Sequence, residues 1–146
     1  MADHLEDIRK KAINMLEQCE SVQLASINDS GYPRICEMEK VKAIGFSEIY
    51  FTTLVKSEKI KHFSENNKAG VSYCIDNDSV SLVGEIEIIE DLSVKKSIWQ
   101  GAHVHRFIEN EDSSPKYCIL KFKAHKAVFF IDGEKTIVNI TDSGKV

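Results

Sequence analysis

One segment of the sequence combines the residue types that an anion-binding site needs. Residues 50–59 begin as a β-type run, end that run in Thr52 and Thr53, and continue into a helix that opens with Ser57 and Lys59. Free N–H groups at a helix start carry partial positive charge, and hydroxyl and ammonium groups complete a phosphate site. The simpler alternative is a strand–loop–helix junction in which Ser57 is an ordinary N-cap.

Other polar residues give weaker signals of chemistry. Glu37 and Glu39 share a strand face and could form a carboxylate pair, but a solvated face or contacts to lysines explain them as well. His103 and His105 are two residues apart and diverge by roughly 200° on a helix, so we do not expect them to share a metal. The four cysteines have no metal-ligand spacing: Cys19, Cys36, Cys74 and Cys118. The sequence therefore predicts no metal site.

Composition and charge bound the class of protein. The chain of 146 residues is long enough for a single domain, 1–146, and 42% hydrophobic with 29% charged residues is typical of a soluble globular protein. The formal charge of −4 argues against a nucleic-acid partner or an anionic membrane surface. No apolar run approaches the roughly 20 residues of a membrane span, so no membrane association is expected.

The N-terminal residues and the cysteines indicate a compartment. Residues 1–4 are acidic and have no apolar core, so we expect no signal peptide. In a chain without an export signal, four widely spaced cysteines are expected to be reduced and mostly buried. The expected location is the cytoplasm.

Hydrophobic periodicity divides the chain into helices and strands. Apolar residues at helical spacing predict helices over 3–20, 57–67 and 93–107. Period-two alternation and turn residues predict strands over 21–28, 34–42, 48–53, 68–75, 79–88, 116–131 and 135–140. Six or seven antiparallel strands with two or three helices over the openings imply an α+β fold built around a small β-barrel.

The strand over 79–88 carries the clearest pattern of the chain. Its apolar face consists of Val80, Leu82, Gly84, Ile86 and Ile88, and the opposite face is mostly polar. A glycine in mid-strand often marks a bulge or the close approach of another backbone or a ligand, so we predict such a feature at Gly84.

The order and spacing of several segments resemble the FMN-binding split-barrel proteins related to pyridoxamine 5′-phosphate oxidase, especially their small general-stress-protein branch. The resemblance covers about Val22 to Ile140 and implies an α+β split barrel of six to seven antiparallel strands. It rests on the shared order of Gly31-Tyr32-Pro33-Arg34-Ile35, Ile49-Tyr50-Phe51-Thr52-Thr53, Ser57-x-Lys59, Ser79-Val80-Ser81-Leu82-Val83-Gly84, Trp99-Gln100 and Tyr117-Cys118-Ile119-Leu120-Lys121-Phe122.

This resemblance implies a homodimer with two FMN molecules at the subunit interface. In such proteins the second strand runs beside the isoalloxazine ring, and its counterparts here are Cys36, Glu37 and Met38. The residues that would hold the ribityl phosphate are Phe51, Thr52, Thr53, Ser57 and Lys59. Ser79 would approach the flavin ring, and Trp99 would approach it from the partner chain unless it serves helix packing alone.

The sequence also departs from these proteins. Many relatives carry arginine where this chain has Cys36 and Glu58. Glu58 suits the first turn of a helix but would repel a phosphate if it pointed inward, and Lys56 or Lys40 could supply the missing charge. Cys36 beside a flavin would be either a redox partner or a packed thiol. The C-terminal arginine/histidine motif that grips pyridoxal phosphate has no match in 129–146, so pyridoxamine phosphate oxidation is not expected.

The preferred function is that of a flavin-dependent oxidoreductase of a small substrate, acting through the flavin N5, with no catalytic acid or base assigned. One alternative is a non-catalytic flavin-binding or stress protein, and another is a nitroimidazole-reductase-like enzyme. A haem- or deazaflavin-binding barrel is a third, in which haem would need an axial ligand such as His62, His103 or His125. An oligonucleotide-binding barrel is the last, and the acidic balance counts against it.

Overall fold

The computed structural model describes residues 2–100 and 117–140, and within them it leaves out the side chains at 2, 92, 99 and 100. The described part contains the helices α1 (Ala2–Gln18), α2 (Glu58–Glu65) and α3 (Leu92–Gln100). Its strands are β1 (Ser21–Ile27), β2 (Pro33–Ile44), β3 (Glu48–Leu54), β4 (Lys68–Ile75), β5 (Asp78–Ile89), β6 (Tyr117–Ile131) and β7 (Glu134–Asn139). None of the described helices has the length and hydropathy needed to span a membrane.

The seven strands form one antiparallel sheet that closes into a barrel. The strand order is β3-β2-β1-β4-β5-β6-β7, and β3 also pairs with β6. This last pairing closes a barrel of six strands and leaves β7 as an extra strand on β6. The predicted fold class is therefore confirmed, with element boundaries within about three residues. The helix predicted over 93–107 is described as far as Gln100.

Period-two alternation explains why these segments fill the barrel interior. Buried side chains alternate with more exposed ones along β1, β4 and β5, as the pleat requires, whereas most of β3 is buried on both faces. Fully buried examples are Val22, Leu24, Ile49, Phe51, Val80, Leu82, Leu120, Phe122 and Phe129. Each such side chain stabilises the fold by about 1.5–3 kcal/mol through burial alone.

Helix α1 packs its apolar stripe against the barrel. The buried residues of this stripe are Ile8, Ala12, Met15 and Leu16. The Tyr73 hydroxyl of β4 donates a hydrogen bond to the Ala12 carbonyl at 2.9 Å, so a buried polar contact fixes the helix to the sheet. Lys11 also forms an ion pair with Asp132 in the turn between β6 and β7.

Gly84 lies where β5 and β6 come unusually close. The register shifts between Val83 and Gly84, which is a β-bulge. A Cβ atom built on Gly84 would lie 2.0 Å from the carbonyl oxygen of Lys123, so no larger residue fits without moving the backbone. The predicted bulge and close approach are both confirmed.

The four cysteines differ in burial more than the sequence predicted. All four are free thiols, of which Cys118 is buried, Cys19 and Cys36 are half-buried, and Cys74 is exposed. The prediction of mostly buried thiols is wrong because Cys74 alternates with the inward residue Tyr73 and therefore points out of β4.

Candidate functional site

The end of β3 and the start of α2 bring two hydroxyl groups together. Thr52 and Thr53 are buried at the end of the strand, and Thr53 Oγ1 donates to Ser57 Oγ at 3.2 Å. Within the described residues, the Ser57 side chain makes no capping hydrogen bond to α2. The simpler reading of Ser57 as a side-chain N-cap is thus not what the structure shows, and its hydroxyl faces Thr53 instead.

Two cations converge on the thiol of Cys36. Lys59, in the first turn of α2, places Nζ 3.9 Å from Cys36 Sγ. Arg34 lies two residues before Cys36 on β2 and places Nη1 3.5 Å from the same sulfur. The predicted residues Cys36 and Lys59 are therefore neighbours, and Arg34 joins them.

The carboxylate of Glu58 lies close to the side chains of Arg34 and His62. Its Oε1 lies 3.7 Å from Arg34 Nε and 3.4 Å from His62 Nε2, and its side chain is 63% exposed. Arg34 and Lys59 each carry a positive charge and Glu58 carries a negative one, so these three side chains together have a net charge of +1. An anion approaching Cys36 therefore meets a positive local field in spite of Glu58.

The histidines that could ligate haem have other partners. His62 is buried, and its Nδ1 lies 2.8 Å from Ser26 Oγ while Nε2 faces Glu58. His125 Nε2 lies 3.1 Å from Glu85 Oε1. His103 falls outside the described residues. Among those that are described, no group of three or more His, Cys, Asp or Glu side chains could hold a metal ion.

The other predicted site residues are spread over the barrel. Phe51 is fully buried in the core, and Met38 is also buried there. Glu37 is exposed and accepts a hydrogen bond from Ser21 Oγ at 2.7 Å. Ser79 is exposed near the start of β5, where its register partners are Cys74 and Phe130. The Trp99 side chain lies outside the described part.

A groove on the outer face of the barrel shares no lining residue with the hydroxyl and cation cluster. It has a volume of about 430 Å³ and is lined by Ala25, Ile27, Lys68, Ala69, Gly70, Val83, Gly84, Glu85 and His125. At one side Lys68 Nζ lies 2.8 Å from Glu85 Oε2. Hydrogen bonds from Lys68 and then His125 lower the pKa of the Glu85 carboxyl. The groove is thus mainly apolar with a paired charge at its rim.

A family profile matches most of the chain. The profile of the pyridoxamine 5′-phosphate oxidase family matches residues 8–130, which include the whole hydroxyl and cation cluster. The chain belongs to this family. No curated protein matches the chain.

Several solved structures share this fold. A Clostridium acetobutylicum protein related to general stress protein 26 of B. subtilis aligns with a TM-score of 0.82 at 23% identity, covering 92% of this chain and 96% of that one. General stress protein 26 of Bacillus anthracis aligns with a TM-score of 0.73 at 19% identity, covering 91% and 98%. A pyridoxamine 5′-phosphate oxidase-related, FMN-binding protein of Nostoc punctiforme aligns with a TM-score of 0.69 at 13% identity, covering 97% and 92%. At these identities the likeness shows the split-barrel fold.

Arg34, His62 and Ser26 were not among the predicted flavin-site residues, although two of them carried a local signal. Arg34 lies two positions from Cys36 on one strand face, and His62 lies one helical turn after Glu58. Ser26 had no such signal, because its contact with His62 depends on how α2 packs across β1. Arg34 and His62 both contact Glu58, the first residue of α2, and Ser26 contacts His62.

Proposed function

We propose that the protein binds FMN and uses it as a flavin-dependent oxidoreductase of a small substrate. The observation that carries this proposal is the cluster at the start of α2, where the Thr53 and Ser57 hydroxyls meet and Lys59 and Arg34 converge on Cys36. Family membership supports it, as does the fold shared with an FMN-binding protein of Nostoc punctiforme.

The residues of this cluster fit a flavin phosphate. A phosphate monoester carries a charge of about −1.5 to −2 near neutral pH and has three acceptor oxygens. Hydroxyl donors at Thr53 and Ser57, the first N–H groups of α2 and the charge of Lys59 match those acceptors. Thr52 is buried beside them and would contribute through the strand end.

The flavin ring would lie along β2. Cys36, Glu37 and Met38 lead along β2 away from Arg34 and would form one side of the ring site, with the exposed Glu37 contributing its side chain and the buried Met38 its backbone. We propose that Ser79 approaches the ring and that Trp99 approaches it from a second copy of the chain. Bound FMN would supply hydride or electron transfer at N5, and the protein would bind it, orient it and exclude water.

The proposed assembly is a homodimer. Outward apolar side chains lie on the barrel surface, including Ile35 at 59% and Val83 at 51% exposure. A two-fold interface would cover such residues and complete a flavin site at the junction. The four unpaired cysteines agree with a reducing compartment, so the proposed location is the cytoplasm.

The proposed reaction is not pyridoxamine phosphate oxidation. Residues 129–146 contain no arginine or histidine to grip a pyridoxal phosphate. Flavin storage without turnover and nitroimidazole reduction are the competing activities within the same flavin-binding site.

Reduction of the bound flavin tests the enzymatic part of the proposal. The protein is loaded with FMN, desalted and mixed anaerobically with NADH or NADPH while the flavin absorbance is followed. We expect bleaching by one of the two donors and reoxidation by a small acceptor. A retained flavin that neither donor reduces would support the storage protein, and reoxidation specific to nitroimidazoles would support the reductase. A monomer by light scattering would contradict the shared interface.

A further inference from the structure

Arg34 makes three contacts although its side chain is half-exposed. Its Nη1 donates to the Ile35 carbonyl at 3.1 Å and faces Cys36 Sγ at 3.5 Å. Its Nε lies 3.7 Å from Glu58 Oε1. Among the described residues these contacts use Nε and Nη1, and a guanidinium has five N–H donors in all. Donors on the far side of the group therefore remain available to a ligand.

A polar chain connects this guanidinium to the buried interior. Glu58 Oε1 also lies 3.4 Å from Nε2 of His62, whose Nδ1 is 2.8 Å from Ser26 Oγ. Ser26 and His62 are 1% and 4% exposed, so this end of the chain is fixed by packing. Ser26 is also the register partner of Arg34 across β1 and β2. The contacts therefore form a closed ring that begins and ends at the same strand pair.

Such a ring lowers the cost of ordering an arginine around a ligand. A free arginine side chain loses rotamer entropy when it is immobilised, and a preorganised one loses less. Arginine also matches the geometry of phosphate better than lysine, since its planar fork can donate two parallel hydrogen bonds. Arg34 and Lys59 approach Cys36 Sγ from different elements, β2 and α2.

We propose that Arg34 is the residue by which the flavin site selects the phosphorylated cofactor, and that Glu58, His62 and Ser26 position it. This inference rests on the proposed FMN site. In this arrangement Glu58 orients the second cation of the site, and Cys36 leaves room for the guanidinium beside it. Neither Lys56 nor Lys40 is then needed to supply the missing charge.

The test compares FMN with riboflavin, which lacks the phosphate. Dissociation constants are measured for the wild-type protein, Arg34→Ala, Arg34→Lys, Glu58→Ala and the control Lys61→Ala. Lys61 is a matched control, because it lies on α2 and pairs with Asp29 at 3.5 Å while being similarly exposed. Its loss changes the net charge by the same amount without touching the ring.

We expect Arg34→Ala to weaken FMN binding by roughly tenfold or more and to change riboflavin binding by less than about twofold. Arg34→Lys should recover part of the loss, Glu58→Ala should lower the preference for FMN to a smaller extent, and Lys61→Ala should change neither ligand. An unchanged FMN-to-riboflavin ratio in Arg34→Ala would overturn the inference while leaving the FMN site intact. Tighter FMN binding in Glu58→Ala would overturn the positioning role, since Glu58 would then act by repulsion.

A second probe separates this inference from the proposed function. If the wild-type protein binds neither flavin, the proposed function is wrong. The role of Arg34 is then tested separately, by measuring the unfolding temperature of each variant with and without inorganic phosphate. Arg34 then keeps its role only if phosphate raises the unfolding temperature of the wild-type protein and of Lys61→Ala, but not of Arg34→Ala. No stabilisation in the wild-type protein, or equal stabilisation in Arg34→Ala, would overturn the inference.

Discussion

Lys59 Nζ lies 3.9 Å from Cys36 Sγ, although 23 residues separate them along the chain. The contact joins the first turn of α2 to a residue near the start of β2, so it depends on how the helix packs on the barrel. Arg34 approaches the same sulfur from its own strand, with Nη1 at 3.5 Å. Two cations from different elements, Lys59 of α2 and Arg34 of β2, therefore bring positive charge to the position of Cys36.

Gly84 should tolerate no side chain. Gly84→Ala would place a Cβ atom 2.0 Å from the Lys123 carbonyl oxygen, so β5 and β6 would have to separate at the bulge. We expect a loss on the order of 3 kcal/mol in the free energy of unfolding, at the upper end of overpacking effects. Urea unfolding measures this loss.

Gly70→Ala is the matched control for this substitution. Gly70 lies on the neighbouring strand β4, and the nearest atom to its added Cβ would be 3.7 Å away, which is ordinary contact. The variant should unfold within about 1 kcal/mol of the wild-type protein. Equal destabilisation by the two substitutions would show that strand propensity, and not the close approach at the bulge, makes glycine necessary.

The stability of the protein should fall in alkaline solution. The pKa of Tyr73 is raised above its ordinary value of 10.0, mainly by burial of the hydroxyl and to a smaller extent by the negative charge of the nearby Cys19 thiolate. Burial also raises the pKa of Cys118 from 9.0 to about 11. Above pH 9 the folded state therefore binds more protons than the unfolded chain, and the free energy of unfolding decreases as pH rises through the folded-state values.

Tyr73→Phe isolates one part of this pH dependence. Near neutral pH the variant loses the hydrogen bond to Ala12 and should be less stable by about 1 kcal/mol. Above pH 10 it should lose stability less steeply than the wild-type protein, because one of the two groups is gone. The free energy of unfolding of both proteins is measured in urea near neutral pH and at about pH 11. An equal loss of stability in the two proteins between these pH values would show that Tyr73 does not contribute to the alkaline destabilisation.

The cysteines should react in an order set by exposure. Cys74 is exposed, whereas Cys118 is buried and its raised pKa keeps the thiolate population small. A disulfide reagent added to the folded protein should modify Cys74 first and Cys118 only after unfolding. Cys74→Ala should remove the fastest phase of the reaction. A fast phase that survives this substitution would place the reactive thiol elsewhere.

Local patterns were sufficient to predict the barrel and its bulge. Alternation along β5 depends on adjacent residues alone, so the inward face of that strand and the role of Gly84 could be predicted. The same rule, applied to β4, would have shown that Cys74 is exposed.

The missed part of the site depends on contacts between distant elements. Ser26 contacts His62, and Arg34 and His62 both contact Glu58, because α2 packs against β1. Only the Ser26 contact had no sign in its own segment of the sequence. Phe51 shows the converse case. It follows the family pattern for phosphate binding, yet its side chain is fully buried in the barrel core. Any contribution of Phe51 to the site would come from its backbone.

The most direct test of the FMN site is the absorption spectrum of the protein after FMN addition and desalting. The wild-type protein and Lys61→Ala should keep a two-band flavin spectrum. The Ser57→Ala/Lys59→Ala double variant should lose it while unfolding at a similar temperature, because two donors to the phosphate are removed. A colourless wild-type protein, or a double variant that retains FMN as well as the wild-type protein, would contradict the phosphate site at the start of α2.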